Sequence, residues 1–314
     1  MLSVIRTIDE ALAQVVRVTR DAAGAHGQLT FPPLFQGFPE AAHGGGLLAA
    51  FDRVARACVP ELGVPRHLAA KILRGLPLET SLPLDASRRD TSVRLTLSRG
   101  AKSLAEATVE MGSRTGDGSS FSAWTERRGT HWVAPTTRGC LACGSENPLG
   151  CRLHLAFDDR WLWCEHRPRD PFRLPDGSLD VALFPIILDE IGWWLGALRT
   201  GEAGVTAEVA VTIHRHDVAF GDPLVLLGDY STVTSADGKG HFWRTEGGVF
   251  DAHGTLLASA RVTYAASRIY SKRLIPALLA LNPAESVRRV FPTYVAELRD
   301  RGAGPQSKCD MRDC

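Results

Sequence analysis

An α+β fold is predicted, with antiparallel strands gathered round two long apolar helices, and three observations predict it. Short segments of alternating apolar residues, separated by turn residues, dominate the chain. Only Gly44 to about Cys58 and about Leu179 to Arg199 read as long central helices. The order of elements also repeats: an opening strand, an irregular segment, an apolar helix holding an aspartate, then several strands. Asp52 and Asp189 lie 137 residues apart, and Phe35 precedes Phe172 by the same interval.

The elements follow in order. In the first half AKILRGLPL, TSVRLTLS and LAEATVEM read as strands. In the second half CRLHLAF, RWLWCEH, AEVAVTIHRH, PLVLLGDYSTV, HFWRTEGGVF and LLASARVTYA do the same. Ala236-Asp237-Gly238 and Asp251-Ala252-His253-Gly254 are turn signals of antiparallel meanders. Pro283 to Arg301 reads as one C-terminal helix, with Asn282 as its cap and Pro283 at its first position. Residues 113–139, rich in Gly, Ser, Thr and Arg, form the natural linker, with Trp124 and Trp132 suggesting that part of it packs down. The expected divisions are 1–134, an N-terminal unit with linker, 135–270, a C-terminal unit, and 271–314, a helix and polar tail.

Composition narrows the function. The 314 residues are long for one domain and comfortable for two. Net charge is +1 with scattered Lys and Arg, which points away from nucleic acid. No stretch approaches the apolar length of a membrane span, and Arg6, Asp9 and Glu10 break the first apolar run, unlike a secretory signal. Seven cysteines, few and odd in number, fit a reduced cytoplasm.

The stretch GFPEAAHGGGLLAAFD, residues 37–52, carries the chemistry. A histidine and three glycines open an apolar helix that contains a carboxylate. The pattern resembles the H-G-G-x6-D signature of PaaI-like thioesterases of the hotdog fold, with His43, Gly44, Gly45 and Asp52 in register. Phe35, Gly37 and Pro39 fit the approach common before that motif. CLACGSENPLGCRLHLAFDD resembles the C-x-x-C-G-x-x-N-P-x-G opening of another branch, and LFPIILDE its L-D-E helix, with Asp189 at the aspartate position. Nine residues before Asp189 stand Asp180, Val181 and Ala182, so the second half has lost the His-Gly-Gly.

The resemblance implies a tandem, or double, hotdog fold, with one continuous curved sheet wrapped round both helices. It implies hydrolysis of an acyl thioester, on coenzyme A or acyl carrier protein. Helix-start amides at Gly44 and Gly45 would receive charge developing on the carbonyl oxygen, and an aspartate would act as base or nucleophile. In the family the aspartate and glycine amide of a site come from opposite halves, so Gly44 is expected to face Asp189, and Asp52 the altered turn. Gly37, Glu190 and Trp193 are further candidates for binding substrate, and His43 is expected to orient the loop. The same fold also serves acyl-thioester dehydratases and hydratases, which use an Asp/His pair, and non-catalytic acyl-ligand binders. Further assembly of fused pairs into a homo-oligomer is compatible with the family.

Simpler readings stand beside these. Three glycines can merely permit close helix packing, and Asp180 can cap the second helix. Cys140 and Cys143 form one C-x2-C; with Cys151 or His154 they suggest zinc, but four well-spaced ligands are not evident. No metal and no cofactor are therefore expected. His214 and His216 read as surface or tunnel-edge residues. Arg268, Lys272 and Arg273 read as a solvated cluster that could also meet coenzyme A phosphates.

Overall fold

The computed structural model describes residues 5–21, 24–112, 119–126 and 130–300. The chain opens with α1 (Ile8–Val15), β1 (Val16–Arg20) and β2 (Gly24–Leu29). A buried helix, α2 (Gly44–Cys58), precedes β3 (Arg66–Ile72), β4 (Leu82–Arg89), β5 (Ser92–Arg99) and β6 (Lys102–Met111). A short α3 (Ser119–Thr125) leads to β7 (Trp132–Val133), β8 (Ala156–Phe157) and β9 (Trp161–His166). The second long helix, α4 (Leu183–Thr200), is followed by β10 (Gly204–Ile213), β11 (Leu224–Asp229), β12 (Thr234–Ser235), β13 (Phe242–Asp251) and β14 (Leu256–Ala266). Three helices close the described chain: α5 (Arg268–Leu281), α6 (Ala284–Val290) and α7 (Pro292–Asp300).

All fourteen described strands belong to one antiparallel sheet ordered β1-β2-β4-β5-β6-β3-β10-β14-β13-β11-β9-β8-β7, with β12 on β13. The halves join where β3 pairs with β10, from Glu208 opposite Lys71 to Ile213 opposite Arg66. Inward positions such as Leu68, Val209, Val211 and Val262 are buried, whereas outward Glu246 and Arg261 face water, the alternation of a one-sided sheet. Helix α4 is apolar on nearly every side, from Leu183 to Leu188 and again from Ile191 to Ala197, and lies against β10, β13 and β14. Gly196 brings it so close to β14 that a Cβ there would stand 2.3 Å from Tyr264 Cγ. Helix α2 packs on α4 and turns Arg53 and Arg56 outward.

The internal repeat extends to hydrogen bonds. His43 N donates to Phe35 O at 2.8 Å, and 137 residues later Asp180 N donates to Phe172 O at 2.8 Å. Both phenylalanines end a 3-10 turn and are fully buried. Bridges Gln36–Ala42 and Arg173–Leu179 repeat at the same interval.

Several expectations need correction. The C-terminal helix is two helices, because Phe291 precedes Pro292 and leaves the helical region there. Asn282 caps neither of them at its start; it ends α5 and bonds through its carboxamide to Thr136. Helix α5 was not anticipated; it runs through Pro276, which removes only one backbone donor. Helix α4 begins at Leu183 rather than Leu179, since residues 181–182 form a turn. CRLHLAF contributes only Ala156–Phe157 to the sheet, and AKILRGLPL ends as a strand at Ile72. Trp124 packs with Trp161, Trp163 and Phe250 on the outer sheet face, and Trp132 on Phe157, so the expected packing of the linker is observed for both tryptophans.

Candidate active site

The CLACGSENPLG segment is a compact loop laid over the first half. Leu141 N donates to Gln36 O at 2.7 Å, and the buried Asn147 amide donates to Leu34 O and Gly139 O, both at 2.9 Å. Gly144 is required because a Cβ would stand 2.3 Å from Cys140 O. This loop places Cys140 and Cys143 against the start of α2 and the middle of α4.

A cavity of about 210 Å³ opens there. Gly37, His43, Gly44, Asp189, Glu190 and Trp193 line it, with Cys140 and Cys143. Its apolar wall comes from Phe38, Ile72, Leu76, Leu274 and Leu278. Arg74 is, besides His43, the one base along this lining, and its side chain is exposed. A larger open groove of about 980 Å³ runs over the outer sheet face past Glu110, Ala210, Glu246 and Arg261, and no expected site residue reaches it.

Gly45 does two jobs at the helix crossing. A Cβ on it would lie 2.2 Å from Pro185 O, so close packing of α2 on α4 requires glycine. Its N–H lies 2.9 Å from Asp189 Oδ2 and 3.1 Å from His43 Nδ1. A Cβ on Gly44 would stand 2.8 Å from Asp189 Oδ2, filling the space beside the carboxylate. As the first residue of α2, Gly44 has an N–H with no acceptor inside the helix, at the positive end of the macrodipole.

Asp189 is held on both oxygens. Thr206 Oγ1 donates to Oδ1 at 2.7 Å, while His43 Nδ1 lies 3.2 Å from Oδ2. His43 Nε2 faces Glu190 Oε2 at 3.5 Å, and Trp194 Nε1 donates to Glu190 Oε1 at 2.9 Å. Burial alone would lower the His43 pKa, but hydrogen bonds with Cys140 and Glu190 and the Asp189 charge raise it well above its usual value. Glu190 is opposed by burial, yet the bond from His43 holds it below the usual carboxylate range. The Cys140 thiol is drawn down to about 6, first by a hydrogen bond from Cys143 and then by His43, against burial and the Glu190 charge.

Asp52 goes elsewhere. Its carboxylate accepts from Arg66 Nε at 2.7 Å and Nη2 at 2.8 Å, with Arg56 Nε at 3.1 Å, and it does not line the cavity. Asp180 occupies the repeat position of His43 and accepts from Ala182 N at 2.9 Å, but Ala182 itself precedes α4 and no side chain caps that helix, so the expected cap is instead a local turn ahead of it.

His214 is buried with Nε2 3.0 Å from Ser259 Oγ, whereas His216 is exposed. Arg268 and Arg273 on α5 approach Glu202 and Glu40 at 3.5 and 3.6 Å. Thr206 and the two cysteines were not anticipated in the site. The cysteine loop was visible as a motif, but Thr206 sits on an ordinary strand without any signal.

By sequence, the chain matches no family model and no curated protein. By structure it is similar to many solved chains. A hotdog-fold protein of unknown function from Alicyclobacillus acidocaldarius superimposes with TM-score 0.54 at 16% identity, covering 83% of this chain and 97% of its own. An acyl-CoA thioesterase II from Mycobacterium marinum gives 0.51 at 13%, covering 82% and 98%. The dehydratase domain of the CurJ module of curacin polyketide synthase gives 0.52 at 10%, covering 83% and 97%. The chain therefore has the hotdog fold. It carries that fold in tandem, two long helices inside one antiparallel sheet. Among the described residues no helix is long and apolar enough to cross a membrane.

Proposed function

We propose that the protein hydrolyses acyl thioesters at the cavity between α2 and α4. One observation carries the reading: Gly44, whose N–H has no acceptor within its helix, and the Asp189 carboxylate, from opposite halves, border the same cavity. The thioester carbonyl oxygen takes the Gly44 N–H, where a preformed donor stabilises developing negative charge. Asp189, fixed by Thr206, Gly45 and His43, keeps one lone pair for a water or for the carbonyl carbon, as base or nucleophile. The acyl group lies along Phe38, Ile72, Trp193 and Leu278. The cavity is too small for a whole coenzyme or carrier arm, so that portion leaves past Arg74, with Arg268, Lys272 and Arg273 on α5 as further cations for phosphate. The named thioesterase among the structural neighbours agrees with this reading.

A dehydratase needs an imidazole nitrogen free to take a proton from carbon. Here both His43 nitrogens face carboxylates, at 3.2 and 3.5 Å, which favours hydrolysis. The test is release of free thiol from a panel of acyl-coenzyme A and acyl-carrier substrates, with Asp189→Asn as the control. Thiol release that Asp189→Asn abolishes supports the proposal. Hydration of an enoyl thioester without thiol release, or ligand-induced stabilisation without turnover, replaces it with the dehydratase/hydratase or the binding function.

A further inference from the structure

The residues beside Asp189 form a second constellation, of which the hydrolytic reading uses only His43, as a support for Asp189. His43, Cys140 and Glu190 each offer one ligand atom, all three lie within 4.8 Å of one another, and all three are buried. The sequence conceals this set, because its members stand at 43, 140 and 190 and come from both halves. The set suggested by spacing, Cys140 and Cys143 with Cys151 or His154, is not the one that converges.

We propose that His43 Nε2, Cys140 Sγ and Glu190 Oε2 bind a zinc ion at the end of the cavity. Tetrahedral zinc with one sulfur, one nitrogen and one oxygen ligand requires edges between ligand atoms of about 3.3–3.6 Å, from its usual bond lengths. Here Nε2 to Oε2 is 3.5 Å, Sγ to Oε2 is 3.9 Å and the His43–Cys140 edge is within 4.8 Å, so the side chains draw together round the ion as it enters. A thiolate, imidazole and carboxylate set suits zinc and not magnesium or calcium, which take oxygen ligands.

Each ligand is also held by the outer contacts a metal site uses. His43 Nδ1 lies 3.2 Å from Asp189 Oδ2, the carboxylate–histidine arrangement that fixes which nitrogen faces a metal. Trp194 Nε1 donates to Glu190 Oε1 at 2.9 Å and turns Oε2 toward the cluster. Ala142 N donates to Cys140 Sγ at 3.3 Å, and Cys143 packs against the same sulfur. Charge points the same way. Asp189 and Glu190 are two buried carboxylates served by one imidazole, and the only other cavity base, Arg74, is exposed. A buried dication meets that excess of acid. With three protein ligands the fourth position faces the cavity, the open arrangement of catalytic rather than structural zinc sites.

The site is independent of hydrolysis and is tested without turnover. The full chain, stripped with a chelator, is titrated with zinc against a competing indicator, and separately with cobalt while its absorption spectrum is recorded. The expectation is one equivalent of zinc and a cobalt spectrum with a thiolate charge-transfer band. Cys140→Ser and Glu190→Gln should each weaken binding more than 10-fold, and Asp189→Asn, acting through His43, about 10- to 100-fold. Cys164→Ser, on β9 outside the cluster, should leave it unchanged. Absence of stoichiometric zinc, a cobalt spectrum without the thiolate band, or binding undiminished in Cys140→Ser overturns the site. The cobalt spectrum is read on the unaltered chain, so it decides even where a variant folds poorly. Stoichiometric zinc without thiol release would instead overturn the hydrolase reading and leave the site standing.

Discussion

The two helix starts are the same place in the repeat, and they have diverged into opposite kinds of chemistry. At the first, His43 and two glycines leave a free amide facing an aspartate from the sister helix. At the second, Asp180 replaces the histidine, Val181 and Ala182 replace the glycines, and the helix begins two residues later in the repeat. The aspartate that would serve this second turn, Asp52, is clamped by Arg66 and Arg56. A carboxylate already accepting from two guanidinium groups is a poor base and a poor nucleophile. An aspartate conserved in spacing is thus insufficient for a site; what surrounds its oxygens decides. Thr206 and His43 hold Asp189 and leave it facing a cavity, whereas Arg66 holds Asp52 inside the protein.

Substitutions can break or sharpen that contrast. The largest effect is expected at Asp189→Asn, with turnover falling by roughly 10² to 10⁴-fold in a thiol-release assay. Asp52→Asn should do the reverse, leaving turnover of the folded enzyme unchanged. It strips the partner from Arg66, only 4% exposed, and should destabilise the fold by about 3–5 kcal/mol in urea unfolding. If Asp52→Asn kills turnover in a folded protein, the contrast between the two aspartates fails. Gly44→Ala keeps the N–H but places a methyl beside Asp189, where it would push the carbonyl off that donor, and should cost about 10²- to 10³-fold in kcat. A smaller loss, about 10-fold in kcat with KM little changed, is expected of Thr206→Val, which frees one oxygen of Asp189.

The smallest effect concerns Asp180. Burial raises its pKa, more than the Ala182 N–H and Arg56 lower it. The folded state therefore holds the proton to higher pH than the unfolded chain does. This contribution favours folding below the unfolded pKa, near 3.9, and is lost as pH rises through the folded value. Asp180→Asn keeps an oxygen for the Ala182 N–H and removes the titration. Its urea midpoint should gain on the wild type between pH 4 and pH 7; a constant difference across that range would remove the asserted burial penalty.

The architecture was legible because it rests on periodicity and repetition, which are local and redundant. Alternation in TSVRLTLS and the run through LFPIILDE identify a strand and a buried helix without knowledge of their neighbours. The Phe35–Phe172 interval exposed the duplication, and the same interval recurs in its hydrogen bonds. The site was legible only in part. His43, Gly44 and Gly45 are adjacent in sequence and could be read as a motif, and Asp189 followed from the repeat. Whether Asp52 was free or clamped depended on Arg66, a strand residue whose pairing no spacing rule reveals. Cys140 meeting Glu190 depends on how a loop folds across the sister half, which is a tertiary fact. Pro276 is tolerated inside α5 because it removes one N–H while Leu274, Ile275 and Leu278 are buried around it.

Helix α5 lies outside the duplicated pattern, yet Tyr270, Leu274 and Leu278 wall the cavity, and Tyr270 meets Phe38 edge-on at 4.6 Å. The roof of the cavity is thus a single-copy appendage, set apart from the paired helices beneath it. Exchange of its leucines for smaller or bulkier side chains can reset which tail lengths fit, leaving the hydrogen bonds around Asp189 as they are. Under the proposed function, α5 would adjust the choice of tail from a stretch that carries none of the reacting groups.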